Sequence, residues 1–69
     1  MSSANLYIPV IERMPSVIKR TGLSKKTIYR LIAASKFPAS VPLTDGRSRG
    51  FDQRAVSAWI EARCMGIAV

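Results

Sequence analysis

Two helix-periodic segments meet across only three residues, Thr21-Gly22-Leu23, and no other feature of the chain restricts its fold as much. Upstream, Met14, Val17, Ile18 and Thr21 recur at i, i+3, i+4 and i+7, one face of a helix, with Pro15 suited to the first helical turn. Downstream, Ser24 is placed as an N-cap, with Leu23 just before it and Ile28 four residues after it, the spacing of a hydrophobic staple. Ile28, Leu31, Ile32 and Ser35 then share one face until Pro38 stops the helix. A connection this short, with glycine where a left-handed backbone is needed, makes the two helices cross steeply. That is the helix-turn-helix pattern.

The flanking segments complete a small domain. Leu6 to Ile11 is an apolar run broken by Pro9, which reads as an extended lead-in rather than a central strand. Val41-Pro42-Leu43 reads as an edge strand, Thr44 to Gly50 as a turn carrying Asp45-Gly46, and Phe51 as the start of the returning arm of a wing. Asp52 then caps a third helix, with Val56, Trp59, Ile60 and Arg63 on one side and Ala55, Ala58 and Ala62 permitting close packing. The expected fold is mainly α: a small winged helix-turn-helix of three helices and a short two-stranded β-hairpin wing. Residues 1–10 form an N-terminal arm, frayed over Met1 to Asn5; 11–64 form the domain; 65–69 form an apolar C-terminal tail.

Composition narrows the chemistry. A chain of 69 residues supports one domain, which buries only about 60% of its unfolded surface and cannot enclose a large substrate cavity. With one cysteine, Cys64, and no histidine, neither an internal disulfide nor a zinc site is expected, and no cofactor is implied. The four acids, Glu12, Asp45, Asp52 and Glu61, are scattered, and two of them suit a turn and a cap, so no acid–base or nucleophile–base pair is apparent. The expectation is a protein that is not an enzyme. Eleven Lys and Arg against four Asp and Glu give a net charge of +7, which suits a polyanionic partner. No apolar run has the length of a membrane span and no signal peptide is evident, so a cytoplasmic protein with no membrane partner is expected.

The second helix carries most of the functional signal. Its first two positions are Lys25 and Lys26, although positive charge is unfavourable at the positive end of a helix dipole by a few tenths of a kcal/mol each. With Ile28 pointing inward, Lys26, Arg30 and Ala33 point away from the core and Tyr29 and Lys25 flank them. A major groove of double-stranded DNA admits such a face: the lysines meet phosphates, and Arg30 reaches a guanine edge. Phosphates at this helix start would turn the unfavourable lysines into favourable ones. Arg47 and Arg49 in the wing, two residues apart, are expected on one side of an extended arm for minor-groove or backbone contact. Trp59 is assigned to the core, and Lys19 and Arg20 suit the dipole of their own helix.

The string MPSVIKRTGLSKKTIYRLIAASKFPASVPL, followed by an Arg-containing turn, an aromatic residue and VSAWIEAR, resembles the AlpA family of small prophage regulators, related to excisionases and to the MerR-like winged-helix class. The resemblance runs from about Ile11 to Arg63. It implies a winged helix-turn-helix that binds DNA near a prophage integrase gene or attachment site, with Ser24, Lys25, Lys26, Thr27, Tyr29 and Arg30 in the recognition segment and Arg47 and Arg49 in the wing. Ser35 stands where the family often has Gly, and Phe51 where Trp is common. The leading expectation is a sequence-specific transcriptional regulator that reads the major groove with helix 25–35 and contacts the backbone or minor groove with the 44–50 wing. An excisionase-like architectural factor is the alternative within the same class. A protein-interaction adaptor, recruiting integrase or RNA polymerase through the tail, is the alternative of another class. One recognition helix reads few base pairs, so a homodimer or cooperative assembly on repeated half-sites is expected.

Overall fold

The computed structural model describes residues 8–66, ordered β1 (Ile11–Glu12), α1 (Met14–Thr21), α2 (Lys25–Ala33), β2 (Val41–Pro42), β3 (Arg49–Asp52) and α3 (Gln53–Cys64). The frayed start expected over Met1 to Asn5 and the tail beyond Gly66 lie outside the described residues. Helix α1 ends where Gly22 takes a left-handed backbone (φ 76°) and donates its N–H to the Ile18 carbonyl at 2.8 Å. Helix α2 starts at its Ser24 cap, whose Oγ accepts from the Thr27 N–H at 3.2 Å. Helix α3 starts at Asp52, whose carboxylate accepts from the Arg54 N–H at 3.1 Å. These three local signals set the helix-turn-helix and its following helix as the sequence indicates.

The C-terminus of α2 departs from expectation. The helix stops at Ala33 rather than reaching Ser35, which lies beyond it, exposed and left-handed at φ 60°. Ser35 N–H donates to the Ile32 carbonyl at 3.0 Å and Lys36 N–H to the Leu31 carbonyl at 2.8 Å, the paired bonds of a Schellman ending with serine in the position glycine favours. The physical reason lies downstream: Pro38 disfavours helical backbone at Phe37, so the chain turns out early and drives Phe37 into the core. Phe37 packs edge-on against Phe51 at 5.9 Å and Trp59 at 4.8 Å between ring centroids.

The wing is wider than a two-stranded hairpin. Beside the β2–β3 pairing (Val41 opposite Gly50, Pro42 opposite Arg49), the lead-in adds a third antiparallel strand, β1, with Ile11 opposite Asp52 and Glu12 opposite Phe51. The order β1-β3-β2 makes β3 central. Gly50 is buried there, and the position needs glycine because a Cβ would run into the Cγ2 methyl of Ile11, with Leu43 Cδ1 at 3.3 Å and the Glu12 carbonyl at 3.4 Å. Across the loop, Leu43 N–H donates to the Ser48 carbonyl at 2.9 Å, and Thr44 Oγ1 accepts from Gly46 N–H at 3.2 Å.

The core between helices and sheet comprises Val17, Ile28, Phe37, Phe51 and Val56, ringed by Met14, Ile18, Leu23, Leu31, Ile32, Trp59 and Ile60. The helices bury the apolar members of the stripes their periodicity marks, while Ser35 and Arg63, placed on those stripes by spacing, are exposed. Trp59 packs on this core but is only half-buried: its Nε1–H donates to the Lys36 carbonyl at 2.8 Å and the Arg63 guanidinium lies 4.9 Å from the ring centre. The indole thus latches the segment after α2 onto α3.

Candidate nucleic-acid interface

The exposed side of α2 follows directly from its buried side. Ile28 is fully buried and Leu31, Ile32 and Thr27 are half-buried, so Lys25, Lys26, Tyr29, Arg30 and Ala33 all face out. Lys26, Tyr29, Arg30 and Ala33 fall at i, i+3, i+4 and i+7 and form one continuous strip. No acidic residue stands in the first turn of α2. Among the described residues neither Lys25, Lys26 nor Arg30 has an ion-pair partner. Among the described residues nothing acidic compensates the basic charge at this helix start.

Ser24 and Thr27 are positioned differently from the lysines. The Ser24 hydroxyl donates to Thr27 Oγ1 at 3.0 Å while accepting from the Thr27 N–H, so the two side chains close the first turn and set the direction of Lys25 and Lys26. In the wing, Arg47 and Arg49 do not form the continuous extended pair expected from their spacing. Arg47 sits in the bend between the strands, whereas Arg49 belongs to β3, so strand alternation does not relate them. Arg49 Nε donates to Ser40 Oγ at 2.7 Å and Nη2 to the Ser40 carbonyl at 3.1 Å. The structure therefore brings Lys25, Lys26, Tyr29 and Arg30 onto one helix face and leaves Arg47 and Arg49 in separate settings.

Arg20 has a different role from the one its place in α1 suggests. Its Nη2 meets Glu12 Oε1 at 2.7 Å and its Nε meets Glu12 Oε2 at 2.8 Å, a two-bond pairing of guanidinium and carboxylate. Ser16 Oγ adds a third bond to Oε2 at 2.6 Å. Nη1 donates to Ser57 Oγ at 3.1 Å and Nη2 also to the Gln53 carbonyl at 3.4 Å, so one side chain ties β1 and α1 to α3. The Glu12 side chain is 3% exposed and that of Arg20 34%. Hydrogen bonding from Arg20, then from Ser16, holds the Glu12 carboxyl below the usual carboxylate range against the opposing effect of burial, and Glu12 in turn raises Arg20. Sequence reading missed this pair; its one signal is an acid, Glu12, directly after the apolar lead-in.

No pocket and no group of three potential metal-ligating side chains occurs among the described residues. No described helix is long and apolar enough to cross a membrane. What the described fold presents to solvent is a basic face of α2.

Three helices, a steep turn after α1 and an antiparallel wing define a small winged helix-turn-helix protein. The family model described as prophage CP4-57 regulatory protein (AlpA) matches residues 11–64. The chain belongs to this AlpA family of prophage regulatory proteins. It is also 39% identical over 54 residues to an uncharacterized protein, ORF88, of Enterobacteria phage P4, a match covering 78% of this chain and 60% of that relative. No solved structure matches the chain.

Proposed function

We propose that the protein is a sequence-specific binder of double-stranded DNA that regulates prophage or integrative-element genes and has no catalytic role. The observation that carries this reading is the outward face of α2: Lys25 and Lys26 at a helix start without a compensating acid, followed by Tyr29, Arg30 and Ala33. Placed in a major groove, the lysines and the free N–H groups of the first turn converge on phosphates, which supply the negative charge that the fold omits. Arg30, a turn further along, reaches base edges, and its planar fork matches guanine O6 and N7. Family membership supports the regulatory setting. Because one such helix reads few base pairs, binding as a homodimer or cooperatively on repeated half-sites completes the reading.

The test is a titration of the protein against duplexes tiled across the DNA flanking its own gene, with a scrambled duplex as control, over a series of salt concentrations. Expected is preferential binding to one segment, with affinity that falls steeply as salt rises. Binding that ignores salt, or an absence of any duplex preference, overturns the proposal.

A further inference from the structure

Arg49 and Arg20 both use the same edge of the guanidinium, Nε with Nη2, but on partners of opposite consequence. Arg20 spends that edge on a carboxylate and is neutralised. Arg49 spends it on the hydroxyl and carbonyl of Ser40, which fix its orientation but leave its charge intact. Among the described residues no acid lies within ion-pair distance of Arg49. The side chain is exposed, so the protein holds an oriented, uncompensated cation at the surface of the wing.

Its geometry decides what that cation can take. With Nε and one Nη2 hydrogen committed, Nη1 and the remaining Nη2 hydrogen form the free edge, two parallel donors suited to two oxygens of one phosphate. Ser40 immediately precedes β2, while Arg49 lies on β3, so the bond also braces the arms of the wing at their base. An ordinary surface arginine loses rotamer freedom when it grips a partner; one already held by Ser40 loses less. We infer that Arg49 is a pre-oriented contact to a single backbone phosphate of bound duplex DNA and that Ser40 is its positioning residue. This rests on the DNA-binding reading above and narrows it: the β3 arginine adds affinity without reading sequence.

The experiment compares wild type, Ser40→Ala, Ser40→Thr, Arg49→Ala and the Ser40→Ala/Arg49→Ala double variant. Each is titrated with a fluorescent duplex of scrambled sequence and with the preferred duplex across a salt series, and each free protein is melted. Arg49→Ala should weaken both duplexes alike and reduce the salt slope by about one phosphate contact. Ser40→Ala, with its charge unaltered, should weaken both by about three- to tenfold with the slope unchanged, the size expected when one long side chain must be ordered on binding. Ser40→Thr, which retains the hydroxyl, should restore binding, and the double variant should be no weaker than Arg49→Ala alone. Full affinity in Ser40→Ala overturns the positioning role, as does a further loss from Ser40→Ala in the Arg49→Ala background. If Arg49→Ala leaves affinity and slope unchanged while Lys25→Gln/Lys26→Gln weakens binding, the wing contact falls and the α2 reading stands. If wild type binds neither duplex, both fall.

Discussion

Two pairs of basic residues flank the helix-turn-helix connection: Lys19 and Arg20 lie in the last turn of α1, and Lys25 and Lys26 begin α2. By the helix dipole alone the first pair is well placed and the second badly placed. The contacts sort them more sharply than the dipole does. Arg20 is held by Glu12, Ser57 and Gln53 and joins three elements, whereas neither lysine of the second pair has an ion-pair partner among the described residues. Basic residues of equal formal charge can thus be internal fasteners or open sockets, and what separates them is whether the fold supplies the anion.

The largest effect that tests this contrast comes from removing the fastener. Arg20→Ala leaves the Glu12 carboxylate, 3% exposed, with the Ser16 hydroxyl as its remaining side-chain partner among the described residues, and should cost about 2–4 kcal/mol. That figure sits below a fully buried pair because Arg20 is one-third exposed, yet it is a large share of the few kcal/mol available to a domain this small. Urea and thermal melts with unchanged midpoints would reduce the pair to a surface contact and dissolve the contrast. Removing the other partner is gentler. In Glu12→Gln the freed guanidinium can reach water, so a cost of about 1–2 kcal/mol is expected.

Acid provides a milder probe of the same contact. The Glu12 carboxyl is lowered in the folded protein, so its contribution is fully present above the ordinary carboxylate range of an unfolded chain. It is lost as pH falls through the lowered folded value. Melting midpoints of wild type should therefore drop on acidification below that range, and the drop should be smaller in Glu12→Gln. Equal acid sensitivity in the two proteins would assign the drop to other carboxylates.

Smallest in stability are the open lysines. Lys25→Gln/Lys26→Gln should raise stability by about a few tenths of a kcal/mol for each lysine, seen as a slightly higher melting midpoint, while weakening specific and scrambled duplexes about equally. Lys19→Gln should do the reverse, lowering stability by a similar few tenths and leaving DNA affinity nearly unchanged. A Lys25/Lys26 variant that melts lower and binds DNA as well as wild type would make those lysines structural.

What could be read from the sequence follows the range of the interaction. Gly22, Ser24 and Asp52 act on backbone groups within a few residues, so the helix starts and the turn were legible. The outward face of α2 was legible too, because burial of Ile28 and a fixed helical period leave Lys26 and Arg30 no other direction. The Glu12–Arg20 pair was not, since each residue already had a local explanation and only the fold brings them together. Phe37 carries no periodic signal, because it falls outside the helical period and enters the core through the early exit of α2. For Arg47 and Arg49 the period-two rule was carried across a bend, where it does not hold.

The pairing of β1 with β3 also has a consequence in time. A ribosome makes this chain from its first residue onward, and α1, the turn and α2 are all complete before the codons for Arg49–Asp52 are translated. Until then Ile11 and Glu12 have no strand to pair with, and Phe51 and Val56, two of the five core residues, do not exist. Closing a loop from Ile11 to Asp52 is a late, non-local event by which the basic helix face gains its support. Interrupted synthesis therefore leaves a segment that carries Lys25, Lys26, Tyr29 and Arg30 without the full core that orients their helix. Support for the outward face of α2 therefore depends on residues that the ribosome adds only after that helix is made.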